Sequence, residues 1–425
     1  MGRAAELLLL TAGALAHMGF ACTDEVLIVG FDGPSDDDDG GFAGDAASAS
    51  TAGCNDEVGP GGAGDGGSGA AGALTREPAC PSQEADPDNI DDVDGDGETA
   101  AAGDCNDCTA LMNRGALDYD GNEIDEDCSG TPDDAVSTCD DALVIDSADP
   151  IDGASALGIC RQSDGIGWGL VSAAYIRSDG LPLDAPVLHL GHGILRNLGV
   201  QVWPREGTAM LALSSGTARR PCDGDFQPVE GFWKDQSPHG APNGYPKPSV
   251  SCAGVTPGLP HDSAGLRLVI KTPTSARSLR FAFDFYSSEF PSFVCSEFSD
   301  TFVALLAPVP PSLRDGNICF DAQGGIVGVD TTFMRACNPT SAGGKRFTCP
   351  LGPTPLFDTG FQDPLGGGVA SGWLQTSAPV SVPGETITLS FLIWDSGDGI
   401  ADSTVLLDAL RFEIGDAEVV THPIE

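Results

Sequence analysis

Beyond about residue 139 the chain alternates short apolar runs with clusters of Gly, Pro, Asp and Ser. The runs are "ALVIDS" (142–147), "WGLVSAAYI" (168–176), "MLALSS" (210–215), "LRLVIK" (266–271), "LRFAFDFYSS" (279–288), "TFVALLA" (301–307), "TITLSFLIW" (386–394) and "STVLLDALRFEI" (403–414). Each has the length of a β-strand, and the polar clusters between them are turn formers. In the fifth run Leu279, Phe281, Phe283 and Phe285 alternate with Arg280, Ala282, Asp284 and Tyr286, the period of two that puts one set on one face. No comparable stretch carries a helical stripe. Many short strands with turn-rich connections predict an all-β domain, a β-sandwich or jelly roll, over 134–425.

Upstream the pattern disappears. From "FDGPSDDDDGGFAGDAASAS" through "GPGGAGDGGSGAAGAL" there are few aromatic or β-branched residues. Such a segment cannot bury enough apolar surface to offset its ordering entropy, so 22–86 is expected to be a disordered Gly/Ala/Asp-rich linker. The first 21 residues hold Arg3, the run Leu7–Leu10 and small residues before Cys22, as in a signal peptide. "GFAC" (19–22) resembles a bacterial lipobox, whose cysteine is acylated after cleavage; cleavage after Ala16 is the alternative. The expectation is a secreted protein held at the bacterial outer membrane or cell surface through Cys22, with lipid as its one membrane contact.

Charge changes the picture further. The chain has 63 Asp+Glu against 20 Lys+Arg, a net charge of −43. That excess repels phosphate backbones, which argues against a nucleic-acid partner, and attracts hard divalent cations. Fourteen cysteines without zinc-finger spacing point to disulfides outside the cytosol.

The acidic residues are most ordered over 87–133. Asp92, Asp94, Asp96 and Gly97 form D-x-D-x-D-G, the head of a calcium loop. The twelfth position, where an EF-hand needs Glu, is Gly103, so the remaining ligands must come from Asp104, Asn106 and Asp107. A second block supplies Asp118, Asp120, Asn122, Asp125 and Asp127, and Cys105 and Cys128 are placed to tie the unit together. The alternative is a merely solvated acidic run, of which "DDDD" (36–39) is an example in the same chain. Every candidate ligand is oxygen, so calcium is the expected ion, with an affinity of roughly 10⁻⁴–10⁻³ M.

The segment from Asp94 through "DCND" (104–107) to "EIDEDCSG" (123–130) resembles the metal-binding motif of MopE-type secreted bacterial proteins, over about 40 residues. Cys108 is extra to that motif and the gap between Ile124 and Asp125 is shortened. The segment is also similar to the calcium-binding repeats of thrombospondin type 3. Farther on, "FAFDFYSSEFPSFVCSEFSDTFVALL" (281–306) and "GETITLSFLIWDSGDGIADSTVLLDALRF" (384–412) resemble the paired motifs of the choice-of-anchor L domain. That resemblance implies an extracellular β-rich domain attached to varied anchors, with no established catalytic role.

Between these motifs Asp395, Asp398 and Asp402 occupy one glycine-punctuated loop, and Glu289 and Asp300 flank another. Were the strands adjacent, these carboxylates could gather round a calcium ion; otherwise they are turn formers and strand-end caps. Cys222–Cys252 and Cys337–Cys349 are plausible neighbour pairings, and Cys108 is the candidate for an odd thiol.

Neither H-E-x-x-H nor G-x-S-x-G occurs. His189 and His192 form a close pair but lack a third zinc ligand. The leading expectation is a non-catalytic surface protein whose calcium-binding segment presents a β-sandwich to a cell-surface glycan or protein. One alternative is a secreted carbohydrate-active hydrolase pairing Glu289 with Asp300 or Glu297. The other is a metal-sequestering surface protein.

Overall fold

The computed structural model describes residues 74–80, 86–134, 138–183, 187–235, 237–363 and 365–424. The expected signal peptide (1–21), Cys22 and all of the linker up to residue 73 lie outside the described residues.

The described strands are β1 (Gly169–Ile176), β2 (His192–Leu195), β3 (Met210–Ser214), β4 (Pro260–Lys271), β5 (Ser278–Ser287), β6 (Thr301–Ala307), β7 (Thr340–Ala342), β8 (Lys345–Phe347), β9 (Val369–Ala370), β10 (Leu374–Pro379), β11 (Thr386–Ser396), β12 (Ser403–Glu413) and β13 (Val420–Pro423). One sheet has the order β1-β4-β11-β6 and the other β13-β10-β5-β12-β3-β2, with β9 beside β5; β7 and β8 form a separate hairpin. All these pairings are antiparallel.

The two large sheets pack face to face as a sandwich. Phe281 of β5 meets Phe391 of β11 at a ring-centroid distance of 5.0 Å, and Phe283 meets Phe302 of β6 at 5.3 Å. The alternation read along β5 thus puts Leu279, Phe281, Phe283 and Phe285 in the inter-sheet core. Each such burial contributes about 1.5–3 kcal/mol. The opposite face of this sheet is covered too. Tyr286 packs on Phe361, at 5.6 Å, in a second apolar cluster with Leu406, Met210 and Leu356. That covering buries Asp284, whose carboxylate accepts hydrogen bonds from Ser371 Oγ and Tyr286 Oη, each at 3.0 Å.

Seven of the eight apolar runs fall on strands. The exception is "ALVIDS": residues 142–147 form turns, with Ala142 at φ 63° and Ser147 N–H donating to the Val144 carbonyl. Its apolar content serves as a lid, since Ile145 packs on the second cluster. A short helix α1 (Pro150–Ala156) follows, begun by an Asp149 side-chain cap and Pro150.

Topology brings the paired motifs together. The β5–β6 connection passes from the second sheet to the first, and the β11–β12 connection passes back. Because β11 pairs with β6 and β12 with β5, the two crossovers lie side by side.

The cysteines pair as Cys80–Cys108, Cys105–Cys128, Cys139–Cys160, Cys252–Cys295 and Cys337–Cys349. Cys105–Cys128 and Cys337–Cys349 are therefore formed. Cys222 is disulfide-bonded, but not to Cys252, which reaches Cys295 in the β5–β6 connection instead. Cys108 is not the odd thiol, because residues 74–80 run back against the acidic segment and deliver Cys80 to it. Among the described residues the free cysteine is Cys319, buried beneath Thr376.

Candidate cation sites

The acidic segment is folded with almost no regular structure, a single turn of 3-10 helix (Ala100–Ala102) excepted. Its conformation is set by carboxylates turning the chain on itself. Asp92 accepts the N–H groups of Gly95 and Gly97 at 2.7 and 3.1 Å, and Asp94 accepts that of Asp96 at 3.1 Å. Gly95 and Gly97 both have positive φ, which only glycine adopts without strain. Gly103, standing where an EF-hand would place its closing ligand, ends the helical turn at φ 109° and hands over to Asp104.

Asp104 and Asp107 then return to the loop head. One carboxylate oxygen from each of Asp94, Asp104 and Asp107 lies within 4.8 Å of the others, and Asp92, Asp94 and Asp96 form an overlapping group. Asp107 also accepts the Val93 N–H at 2.9 Å, which fixes the return. Three acceptor atoms here are buried without a hydrogen-bond partner: Asp94 Oδ2, Asp104 Oδ2 and Asn106 Oδ1. Asp104 and Asn106 are each only 5 % exposed. Burial, with the neighbouring carboxylates adding to it, raises Asp94 and lifts Asp96 to about 6 and Asp104 to about 7.

The second block is arranged differently. Asp118 and Asp127 converge with Asp134, which the sequence pattern did not single out. Asp127 already has a counter-charge, Arg161 Nη1 at 2.7 Å. Burial, helped by the neighbouring Glu126, raises Asp118 to about 7. Asp125 caps a turn by accepting Ser129 N–H and Gly130 N–H at 2.9 and 2.8 Å. Asn122 accepts Ile124 N–H and donates to Glu126, while Asp120 is exposed.

The segment is docked on the sandwich rather than suspended ahead of it. Leu117 belongs to the inter-sheet core, and its N–H donates to Ser275 Oγ at 3.0 Å. Asn113, fully buried, donates to Asp96 Oδ2 at 2.7 Å and accepts from Thr274 Oγ1 at 2.8 Å. This one amide links the D-x-D-x-D-G loop head to the β4–β5 turn. The sequence signal for it was weak, since an isolated Asn in "LMNRG" has no periodicity.

At the adjacent crossovers Glu289, Asp300, Asp395 and Asp402 are gathered inside the protein, each 1 % exposed. Asp398 stays at the rim, accepting the Ile400 N–H. Glu289 accepts the Asp300 N–H at 2.7 Å, Asp300 accepts the Ser396 N–H at 3.0 Å, and Asp395 accepts the Gly399 N–H at 2.8 Å. These carboxylates thus cap the two crossovers. None of them belongs to a group of three whose ligand atoms lie within 4.8 Å among the described residues. Burial pushes Glu289, Asp300 and Asp402 well up, and Asp395 to about 7. Two residues that sequence inspection passed over, Asp262 and Lys234, complete the cluster; Asp262 accepts the Lys234 N–H at 3.2 Å.

Glu289 and Asp300 do not face each other across an open cleft, and Glu297 is exposed on the loop between them. His192 is stacked on Tyr175 at 3.7 Å, and burial drives it down to about 3, so it is neutral. Neither it nor His189 joins a group of three metal-ligating residues among those described. A Ser-His-Asp trio does exist, with His239 2.6 Å from Ser263 Oγ and 3.2 Å from Asp235. Ser263 is wholly buried and accepts the Ser178 N–H, so its oxygen is not presented to a substrate. Beside the crossovers lies a cavity of about 250 Å³ lined by Tyr245, Asn317, Phe320, Ile326 and Trp394. No family model matches the chain, and no curated protein shows significant similarity to it.

Proposed function

We propose that this is a secreted, surface-presented, non-catalytic protein whose acidic, disulfide-tied segment is a calcium-binding cap on a β-sandwich. The observation that carries the reading is the set of unpartnered buried oxygens on Asp94, Asp104 and Asn106, beside the converged carboxylates of Asp94, Asp104 and Asp107. A buried acceptor without a partner costs about 1–3 kcal/mol, and more when charged. A hard cation, which takes six to eight oxygen ligands, is the kind of partner that such converged acceptors lack. Disulfides Cys80–Cys108 and Cys105–Cys128 hold the ligands near their bound positions, which lowers the ordering entropy that binding must offset.

The sandwich is the part that meets a partner, a cell-surface glycan or protein, with the aromatic-lined cavity by Tyr245 as its contact point. Its tether is the N-terminal region, acylated at Cys22. The resemblances to MopE-type motifs and to choice-of-anchor L domains favour the same assignment.

Calorimetric titration of metal-stripped protein with calcium tests the cap. Saturable binding with a dissociation constant of about 10⁻⁴–10⁻³ M, weakened at least about tenfold by Asp94→Asn, is expected. Absence of saturable binding, or an unchanged constant in the variant, contradicts the assignment.

A further inference from the structure

The cavity beside the crossovers is built on the outer face of the first sheet. Along β11, Phe391 and Ile393 enter the inter-sheet core, so Leu392 and Trp394 point the other way, into a third apolar cluster with Ile176 and Val303. Tyr245 packs edge-on against Trp394, with ring centroids 6.0 Å apart at 83°. Both rings line the cavity, whose volume is about 250 Å³.

Two polar atoms are left over in this wall. Trp394 Nε1 and Tyr245 Oη are buried without a hydrogen-bond partner among the described residues, and Trp394 is only 1 % exposed. Asn317 shares the wall but is committed to backbone. Its amide donates to the Cys319 carbonyl at 2.8 Å and accepts the Cys319 N–H at 3.1 Å. An indole N–H can only donate, so it needs an acceptor from elsewhere. The same wall carries acceptors with capacity to spare. Asp330 accepts the Cys295 N–H at 2.6 Å and the Ser249 hydroxyl at 3.3 Å. Asp315 accepts the Asn317 N–H at 3.2 Å and pairs with Lys247. An ionised carboxylate offers about four acceptor positions, and neither residue fills them.

We infer that the cavity takes a single uncharged pyranose ring, the end unit of a glycan. The inference rests on the reading of this cavity as the sandwich's contact point and narrows it to one ligand class. A sugar hydroxyl both accepts and donates, so one kind of group answers the open indole and phenol donors and the spare carboxylate lone pairs. A proline-rich peptide supplies carbonyl acceptors and answers only the first half. A cation finds the Tyr245 ring already taken, with Lys247 Nζ 4.4 Å from its centroid. An anion meets Asp300, Asp315 and Asp330 against Lys247, in a chain of net charge −43. The volume lies below the range of about 300–1,000 Å³ that holds drug-sized ligands, which suits one ring with the rest of the glycan outside.

The test is the indole N–H spectrum of full-length protein labelled with 15N-tryptophan, in calcium. Its five tryptophans give five indole signals, and Trp394→Phe identifies the one that belongs to Trp394. The probes are the methyl glycosides of glucose, galactose and mannose, and N-acetylglucosamine. At least one is expected to move the Trp394 signal saturably, with a dissociation constant on the order of 1–10 mM, as suits a ligand of few atoms. Tyr245→Phe is expected to weaken that binding at least about tenfold without lowering the melting temperature, since it removes an unpartnered hydroxyl and keeps the ring. No movement with any probe up to about 50 mM overturns the inference. An unchanged affinity in Tyr245→Phe, or a response to tetramethylammonium alone, does so too. Should Trp394→Phe fail to fold, the Tyr245→Phe titration alone decides. Binding of labelled protein to bacterial cells separates this failure from that of the contact point. With no glycoside response, cell binding lost in Tyr245→Phe overturns the pyranose and keeps the contact point, whereas cell binding untouched by Tyr245→Phe overturns both.

Discussion

Asp104→Asn separates a calcium ligand from an ordinary buried acid. At about pH 7.5 in chelator the Asp104 carboxyl is disfavoured as an anion by burial and by Asp96, Asp94 and Asp107, which together hold it at about 7. The sign follows from linkage. An acid raised in the folded state binds its proton more tightly there than in the unfolded chain, so apo stability is greatest below about pH 4 and declines as pH rises through about 7. The amide removes that penalty, keeps a similar shape and can still accept the Asn106 N–H. Without calcium the variant should melt at the same temperature as the wild type or slightly above it.

Calcium reverses the order. For a dissociation constant of about 10⁻⁴–10⁻³ M, about 10 mM calcium stabilises the wild type by about 1.4–2.7 kcal/mol. Losing one charged ligand is taken to weaken binding about tenfold, which leaves about 0.4–1.4 kcal/mol. With an unfolding entropy of about 0.7 kcal/mol/K for roughly 340 residues, the wild-type shift is about 2–4 °C and the variant's about 0.6–2 °C. Scanning calorimetry in chelator and in calcium reads both. An Asp104→Asn variant that loses the same number of degrees in both buffers would refute the ligand role, because that is how a purely structural acid behaves.

Asn113→Ala should cost about 1–3 kcal/mol by leaving Asp96 and Thr274 without their shared partner; in calcium, hydrogen exchange should speed up across the acidic segment while β5 keeps its protection. Gly216→Ala forces a methyl against the Asp402 carboxyl and should destabilise by about 1–3 kcal/mol in denaturant titration, with or without calcium. Calcium affinity should fall as pH drops from about 7.5 to about 5.5, because protons compete at Asp104 (about 7) and Asp96 (about 6). Titration in buffers of different ionisation enthalpy should show protons released on binding, and an affinity independent of pH contradicts the assignment.

The sandwich was legible because its inner face follows the period of two, as Phe281, Phe283 and Phe285 illustrate. The gathering of Glu289, Asp300, Asp395 and Asp402 was legible as a conditional, and the adjacency of the two crossovers supplied the condition. What the pattern could not show depends on contacts distant in the chain. Asn113 owes its role to Thr274, and Lys234 owes its buried place to the Ser214 carbonyl, neither of which leaves a local spacing. The docking of the acidic segment was hidden for the same reason, since a single buried residue, Leu117, carries it into the core. "ALVIDS" misled because apolar content serves a turn-shaped lid as well as a strand.

The most direct measurement of the central claim is hydrogen exchange of the backbone amides of Val93, Gly95, Gly97 and Asn106, each bound to Asp92, Asp104 or Asp107. If calcium closes the cap, their exchange slows at least about tenfold between chelator and about 10 mM calcium, while β5 and β11 are unchanged. Equal exchange in the two buffers contradicts the account.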